Sequence, residues 1–451
     1  MKIIIVGCGK VGTTLAEELS KENHDITLID IDGDTLQEIS DSIDVMCVTG
    51  NGAVYQIQME AGVKEADLLI ATTNSDELNM LCCLIAKKAG NCQTIARIRN
   101  PEYSAEINYI REELNLSLAI NPELAAAIEI SRLLRFPTAI KIEPFAKGRI
   151  ELLKFIVPQT SVLNHMRVMD VNNRLKSNVL ICAVERGEEV VIPDGNFVIQ
   201  SGDKLSFIGP RGSRSEFFKK AGIENNAVKT AMLVGGGRIT YYLAKALADS
   251  KIKIKIIEQD EERCNELSEL LPHAMIICGD GTDQQLLIEE GIRQTEAFAS
   301  LTGFDEENIM LSLYAASQSK AKLITKVNRI TFGNVIDSLE LGSVISPKMI
   351  TADIILQYVR AMQNSMGSNV ETMYKIVAEK AEALEFRVKS NVPFLGIPLE
   401  KLELKRNLLI ACINRNGKAI IPRGQDVIEA GDTVIVVTTH TGLNDLKDIL
   451  R

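Results

Sequence analysis

Tryptophan is absent from the 451 residues, and aromatic residues of all kinds make up only 4%. The chain therefore lacks the stacking platforms on which single-stranded nucleic-acid binders depend. Basic residues are outnumbered, 50 Lys and Arg against 60 Asp and Glu, giving a net charge of −10. A phosphate backbone needs a basic face, so no nucleic-acid partner is expected. Histidine is scarce: His24, His165, His273 and His440 do not cluster, which indicates neither a metal site nor a His-based acid/base pair. The nine cysteines are an odd number without CxxC spacing, as in a reduced protein of the cytoplasm. Several lie in apolar runs, where free cysteine acts as a small hydrophobe. No apolar run approaches the roughly 20 residues needed to span a bilayer, so direct membrane insertion is not expected. The N-terminus reads as the first strand, leaving no room for a signal peptide.

What is present is one nucleotide-binding signature, twice. The first copy runs from the apolar segment Lys2–Val6 through GCGKVG at 7–12 to a strand ending on Asp30. The second runs from Thr230–Val234 through GGGRIT at 235–240 to Glu258, at a constant offset of 228 residues. The correspondence continues: VTGNG (48–52) matches ICGDG (277–281), SDELN (75–79) matches FDEEN (304–308), and ARIRN (96–100) matches TKVNR (325–329). Further on, VVIPDG (190–195) matches AIIPRG (419–424), and SGDKLSFIG (201–209) matches AGDTVIVVT (430–438). The repeat unit is the half-chain.

Within the first half, apolar segments at 2–6, 26–30, 44–48, 67–71, 94–98 and 116–119 read as strands. Helices at 11–22 and 76–88 intervene. Short, nearly continuous Val/Ile/Leu strands alternating with amphipathic helices predict a doubly wound parallel sheet. A helix over 122–135, capped by Asn121 with Pro122 at its first position, leads away. Residues 151–221 then show short strands, turns at 186–187 and 193–195, and a closing helix from about 213. The predicted class is α/β: two Rossmann-like domains, 1–136 and 225–364, each followed by a small α+β module, 137–224 and 365–451. Asn225 and Asn226 mark the boundary between halves, and 346–360 is the second connecting helix. Both connecting helices have large apolar faces and are assigned to lobe-to-lobe contacts.

The glycine turn has a physical purpose. Glycines let the backbone approach a pyrophosphate, and the following helix aims free amides and its positive dipole end at the phosphates. Gly7, Gly9 and Gly12 fill all three positions, whereas Gly235 and Gly237 are followed by Thr240 where the third glycine should stand. An acid at the end of the second strand accepts from a ribose diol. Asp30 and Glu258 hold that position, and each would repel a 2′-phosphate, which favours NAD(H) or an unphosphorylated adenosine ribose over NADP(H). Lys10 and Arg238 sit just inside the turns, where a cation can lean on phosphate. Arg97 and Lys326 close equivalent strands at the ligand-binding edge of the sheet. Tyr241 and Lys245 have the YxxxK spacing of some dehydrogenases, but in the helix after the glycine turn, where those enzymes do not place it. No nucleophile, base and orienting group stand at catalytic spacing. Two cofactor sites without catalytic machinery indicate a sensor; an NAD-dependent oxidoreductase, or a nucleotide-sensing scaffold, are the alternatives.

The string MKIIIVGCGKVG…ITLID…VTGNG…ATTNSDELNM…ARIRNPEY, repeated with GDGTDQQLL and DEENIM, resembles the regulatory subunits of Trk potassium-uptake systems, built from tandem regulator-of-potassium-conductance domains. The resemblance spans essentially the whole chain. It implies NAD(H) or ATP/ADP in the Rossmann lobes, and homodimers or homotetramers docked on the cytoplasmic face of a membrane-embedded potassium-translocating subunit. Carried over by motif position, the first-half contacts fall on Gly7, Cys8, Gly9, Lys10, Val11, Asp30, Thr73, Asn74 and Arg97. In the second half they fall on Gly235, Gly236, Gly237, Arg238, Ile239 and Glu258. Thr240, and Thr302-Gly303 in place of Thr73-Asn74, depart from the pattern and set the second site apart.

Overall fold

The computed structural model describes all residues except 146–149, 188, 210–212, 224–226, 329–338, 340, 366–369, 378–379, 391, 441–442 and 444. The boundary expected at Asn225-Asn226 and the end of the TKVNR match lie outside the described residues.

The first Rossmann sheet comprises β1 (Lys2–Val6), β2 (Asp25–Asp30), β3 (Met46–Thr49), β4 (Leu68–Ala71), β5 (Gln93–Arg97) and β6 (Leu118–Ile120). All pair in parallel, in the order β3-β2-β1-β4-β5-β6. This order reverses between β1 and β4, which opens a crevice at the carboxyl ends of the strands. The helices are α1 (Lys10–Ser20), α2 (Gly33–Ser40), α3 (Tyr55–Glu60), α4 (Asp76–Gly90), α5 (Pro101–Ala105), α6 (Ile107–Glu113) and α7 (Pro122–Arg135). Local chemistry sets their ends. The Asp32 side chain caps α2 and Ser75 caps α4, which terminates on left-handed Asn91. In α7, Asn121 accepts from the Leu124 amide and Pro122 takes the first turn, as the sequence predicts.

The first small module, expected over 137–224, opens with a strand that the sequence reading did not foresee. A strand β7 (Ala139–Phe145) precedes β8 (Ile150–Ile156) and pairs with it antiparallel. Lys141, Glu143 and Pro144 break the apolar pattern there, so this strand is not legible from composition. The module continues with α8 (Val168–Leu175), β9 (Leu180–Arg186), β10 (Glu189–Val191), β11 (Lys204–Ile208) and α9 (Ser213–Lys220), in sheet order β10-β9-β11-β8-β7.

The second half repeats both sheets. Its parallel sheet holds β12 (Thr230–Val234), β13 (Lys253–Glu258), β14 (Ala274–Cys278), β15 (Ala297–Ser300), β16 (Lys322–Lys326) and β17 (Ser343–Ile345), in the order β14-β13-β12-β15-β16-β17. Its helices are α10 (Arg238–Leu247), α11 (Glu261–Leu270), α12 (Gln284–Glu289), α13 (Asp305–Gln318) and α14 (Pro347–Ser365), the last running five residues past its predicted end. The closing antiparallel sheet of β18 (Val370–Val377), β19 (Ala381–Arg387), β20 (Leu408–Arg415), β21 (Lys418–Ile420) and β22 (Thr433–Thr438) has the same strand order as its counterpart.

The two halves are intertwined. Ala352, Ile355, Leu356 and Val359 of α14 pack into the core of the first Rossmann lobe, beside Ile3, Ile5, Leu15 and Leu28. Reciprocally, Ala126, Ile130, Leu133 and Leu134 of α7 join a core containing Leu233, Leu243 and Ile256 of the second lobe. Each connecting helix thus covers the other half's sheet, so the lobe-to-lobe contacts assigned to them are made within one chain. Polar ties reinforce the exchange: Arg360 pairs with Glu22, Lys322 Nζ donates to the Ala139 carbonyl, and Ser343 Oγ donates to the Ile140 carbonyl. The two small sheets also share one apolar layer, in which Phe145, Leu152 and Cys182 meet Ala383, Cys412 and Val437. No helix among the described residues is long and apolar enough to cross a membrane.

Candidate functional site

At the carboxyl end of β1 the chain turns on Gly7 at φ +92°, where an added Cβ would lie 2.7 Å from the Thr73 amide nitrogen. Gly12 packs the start of α1 onto this turn; a Cβ there would fall 1.9 Å from the Gly7 carbonyl oxygen. Gly9 differs from both. It is the N-cap of α1, no side chain caps the helix, and a Cβ would meet nothing within 4 Å. The free amides of the first turn therefore face open space, the arrangement that receives a phosphate.

Asp30 ends β2 beside this turn. Its Oδ2 accepts from the Cys8 amide and its Oδ1 from the Asp32 amide at 3.0 Å. These bonds fix the carboxylate at the rim of the cleft, with remaining lone pairs for a diol. Across the cleft, Thr73 is held by Asn79, whose Oδ1 accepts from the Thr73 amide at 2.7 Å and whose Nδ2 donates to the Arg97 carbonyl at 2.9 Å. The Arg97 guanidinium donates to the Thr73 carbonyl, and Arg99 donates to the Asn74 carbonyl at 2.8 Å. Yet the Nε atoms of both arginines are buried without a hydrogen-bond partner. Burial, then repulsion from Arg99, lowers the Arg97 pKa to about 10. An anion in the cleft would relieve both deficits, so donor set, glycine cradle and ribose acid all fit a dinucleotide or adenine nucleotide.

Of the first-half residues singled out from the sequence, Gly7, Cys8, Gly9, Lys10, Val11, Asp30, Thr73, Asn74 and Arg97 line one cleft of about 740 Å³. Gly12 stands behind it. The lining also includes Asp32, Asn51 and Arg99, which the sequence reading missed. Arg99 was detectable as the residue two past Arg97 on the same strand exit, and Asn51 as the centre of the repeated GNG/GDG. Burial pushes the Cys8 thiol up to about 12, so it contributes bulk and no nucleophile.

The second cleft is smaller, about 290 Å³. Gly235, Gly237, Glu258 and Lys326 line it, whereas Gly236, Arg238 and Ile239 do not. Gly236 is turned inward, its Cβ position 2.6 Å from Leu267 Cδ1, and Arg238 is exposed outside the cleft. The Thr240 hydroxyl donates to the Gly235 carbonyl, so a side chain stands where Gly12 packs directly against the Gly7 carbonyl. Glu258 repeats the geometry of Asp30, accepting from the Gly236 amide and from the Asp260 amide at 2.9 Å. Lys326 Nζ donates to the Thr302 carbonyl at 2.6 Å, as Arg97 does to Thr73. Asp280 and Glu307 add negative charge to this lining, and Asn328 stands where the first half has Arg99.

The clefts are in each other's electrostatic reach. Arg238 lies near enough to Arg97, and Lys10 to Lys326, that each lowers the other half's cation, while Glu123 of α7 raises both. The Tyr242 hydroxyl of α10 donates to the Arg99 carbonyl at 3.2 Å and receives from Asn121 at 2.9 Å. The Tyr241–Lys245 pair is joined at 3.0 Å but lines neither cleft. No group of three metal-binding side chains occurs among the described residues.

The TrkA-N domain model matches residues 3–122 and 231–347, and the TrkA-C domain model matches 152–222 and 383–451. Over their full lengths, the chain is 31% identical to the Trk system potassium uptake protein TrkA homolog 1 of Methanosarcina mazei. It is 32% identical to the Trk system potassium uptake protein TrkA of Haemophilus influenzae, covering 100% of this chain and 97% of that one. Among solved structures, the GsuK channel bound to NAD shares the fold at a TM-score of 0.63 and 17% identity, over 97% of this chain and 76% of that one. With four matched domains in tandem and relatives aligned from end to end, this chain belongs to the TrkA family of potassium-uptake proteins.

Proposed function

We propose that this chain is a non-enzymatic, nucleotide-responsive regulatory subunit that gates a membrane-embedded potassium-translocating partner from its cytoplasmic face. The observation that carries the reading is the pair of glycine-turn clefts coupled through exchanged helices. The units are 1–136 and 225–364 as nucleotide lobes and 137–224 and 365–451 as small modules. The ligand is NAD(H) or ATP/ADP; contacts are made by Gly7, Cys8, Gly9, Lys10, Val11, Asp30, Thr73, Asn74 and Arg97 in the first lobe. Gly235, Gly237, Glu258 and Lys326 do so in the second. Ligand changes an assembly only through its differential affinity for two arrangements. Here the cations Arg97 and Arg238, and Lys326 and Lys10, repel across the lobe boundary, so phosphate at either cleft favours their approach. Potassium flux in vesicles containing the partner should respond to NADH or ADP with this subunit, and lose that response with a glycine-turn variant; equal flux with both proteins would reject the reading.

Asp30→Ala should weaken adenine-nucleotide binding at the first cleft by about tenfold or more, the loss of one or two bonds to a charged group at roughly 1.5–3 kcal/mol each. Calorimetric titration reads this directly, and unchanged affinity would refute the ribose contact.

A gating unit that transmits force to a pore acts as a closed oligomer. Four chains would place eight Rossmann lobes in a ring. Light scattering should give a dimer or tetramer, and a strict monomer at micromolar concentration with and without nucleotide would remove the mechanical basis for gating.

A further inference from the structure

Beneath the second cleft, β14 runs parallel to β13 with Cys278 directly beside Glu258. One turn into α11, Cys264 is buried and its Sγ donates to the Glu258 carbonyl at 3.2 Å. Both thiols thus flank Glu258, Cys278 from the neighbouring strand and Cys264 from the helix above it, and both are reduced. They differ in access: Cys278 is exposed to solvent, whereas Cys264 is 6% exposed. At the corresponding positions the first half carries Leu36 and Thr49. An outer thiol backed by an inner one is the arrangement of a peroxide-reactive cysteine with its resolving partner.

We propose that Cys264 and Cys278 form a reversible disulfide that regulates the second nucleotide cleft in response to a peroxide. The Cys278 thiolate attacks the peroxide, the O–O bond breaks, and Cys278 sulfenic acid forms with release of hydroxide or alkoxide. Cys264 sulfur then displaces the sulfenic oxygen, which leaves as water after taking up the Cys264 proton. Two electrons pass from the thiol pair to the peroxide, and a small-molecule dithiol reverses the change.

The consequence follows from what α11 holds. Arg263, the neighbour of Cys264, donates from Nε to the Gly236 carbonyl at 2.8 Å, inside the glycine turn. Leu267, one turn further, supports Gly236 from below. Forming an S–S bond of roughly 2.05 Å draws α11 towards β14. It also removes the proton that Cys264 donates to the carbonyl of Glu258. Both changes disturb the turn and the ribose acid together, so oxidation weakens nucleotide binding at this cleft and leaves the first untouched.

The test has two separable arms. Full-length protein treated with hydrogen peroxide is digested without reduction and analysed by mass spectrometry. A peptide pair linking Cys264 to Cys278 is expected, absent from Cys278→Ser and reversed by dithiothreitol. No such link, or oxidation of Cys278 only to sulfinic and sulfonic acids, overturns the proposal, and this arm needs no ligand. The second arm rests on the proposed nucleotide function and titrates ADP into reduced and oxidised protein carrying Gly9→Ala, which isolates the second cleft. Affinity should fall at least about threefold on oxidation and recover with dithiothreitol. A disulfide that forms without changing ADP affinity overturns the regulatory role. If reduced protein binds no ADP there, the nucleotide reading of that cleft fails while the disulfide stands on the first arm.

Discussion

Replacing Gly9 with alanine should abolish nucleotide binding at the first cleft, by about a hundredfold or more, while leaving the fold almost unchanged. The methyl group would meet no protein atom within 4 Å, and Gly9 sits at an ordinary φ of −70°. Its stability effect is that of a modest N-cap change, on the order of 1 kcal/mol or less. Yet the same position opens directly onto the amides of α1, where the phosphates are to lie. Loss of two phosphate bonds, at roughly 1.5–3 kcal/mol each, accounts for the fold-change. Gly237→Ala is the matched control, because its Cβ is equally unobstructed. The narrower cleft, with Thr240 against the Gly235 carbonyl and acidic Asp280 and Glu307 in its wall, should take the same ligand more weakly. Calorimetry on both variants separates the sites. Wild-type affinity in Gly9→Ala, with an unchanged melting temperature, would dismiss the pyrophosphate assignment; equal affinity and ligand preference at the two clefts would dismiss the asymmetry.

The second large effect is on stability. Ile355 of α14 is 1% exposed and packs among first-lobe side chains more than 300 residues distant in sequence. Truncating a buried isoleucine to alanine costs about 2–5 kcal/mol, depending on how far the cavity collapses. Because the helix belongs to the second half and the core to the first, Ile355→Ala should loosen the first Rossmann lobe. Amide hydrogen exchange would show lost protection in β1, β2 and α1, and with it reduced nucleotide affinity at the first cleft. Protection lost only in the second half would contradict the exchange of connecting helices as the link between lobes.

Much of this was already written in the chain. The repeated strand, glycine turn and strand-end acid specify a Rossmann lobe because each step is local. Short Val/Ile/Leu runs suit buried parallel strands, glycine alone accepts the Gly7 conformation, and Asn121-Pro122 starts a helix wherever it stands. The first cleft was legible for the same reason: most of its wall comes from the ends of consecutive strands. What the sequence could not reveal depends on chain segments meeting at long range. Strand β7 was hidden because its apolar side chains serve two different cores, Ala139 and Ile142 one and Phe145 another, with the buried charge of Glu143 between them. The connecting helices showed large apolar faces, but only packing could assign each to the opposite half's sheet. Likewise, Thr240 announced that the second site departs from the first, whereas its inward-turned Gly236 and displaced Arg238 follow from the fit of α10 and α11 around it. Local stereochemistry determined the two lobes. Burial of side chains distant in sequence decided how the lobes are joined, and through that, which charged groups of the two halves lie in each other's reach.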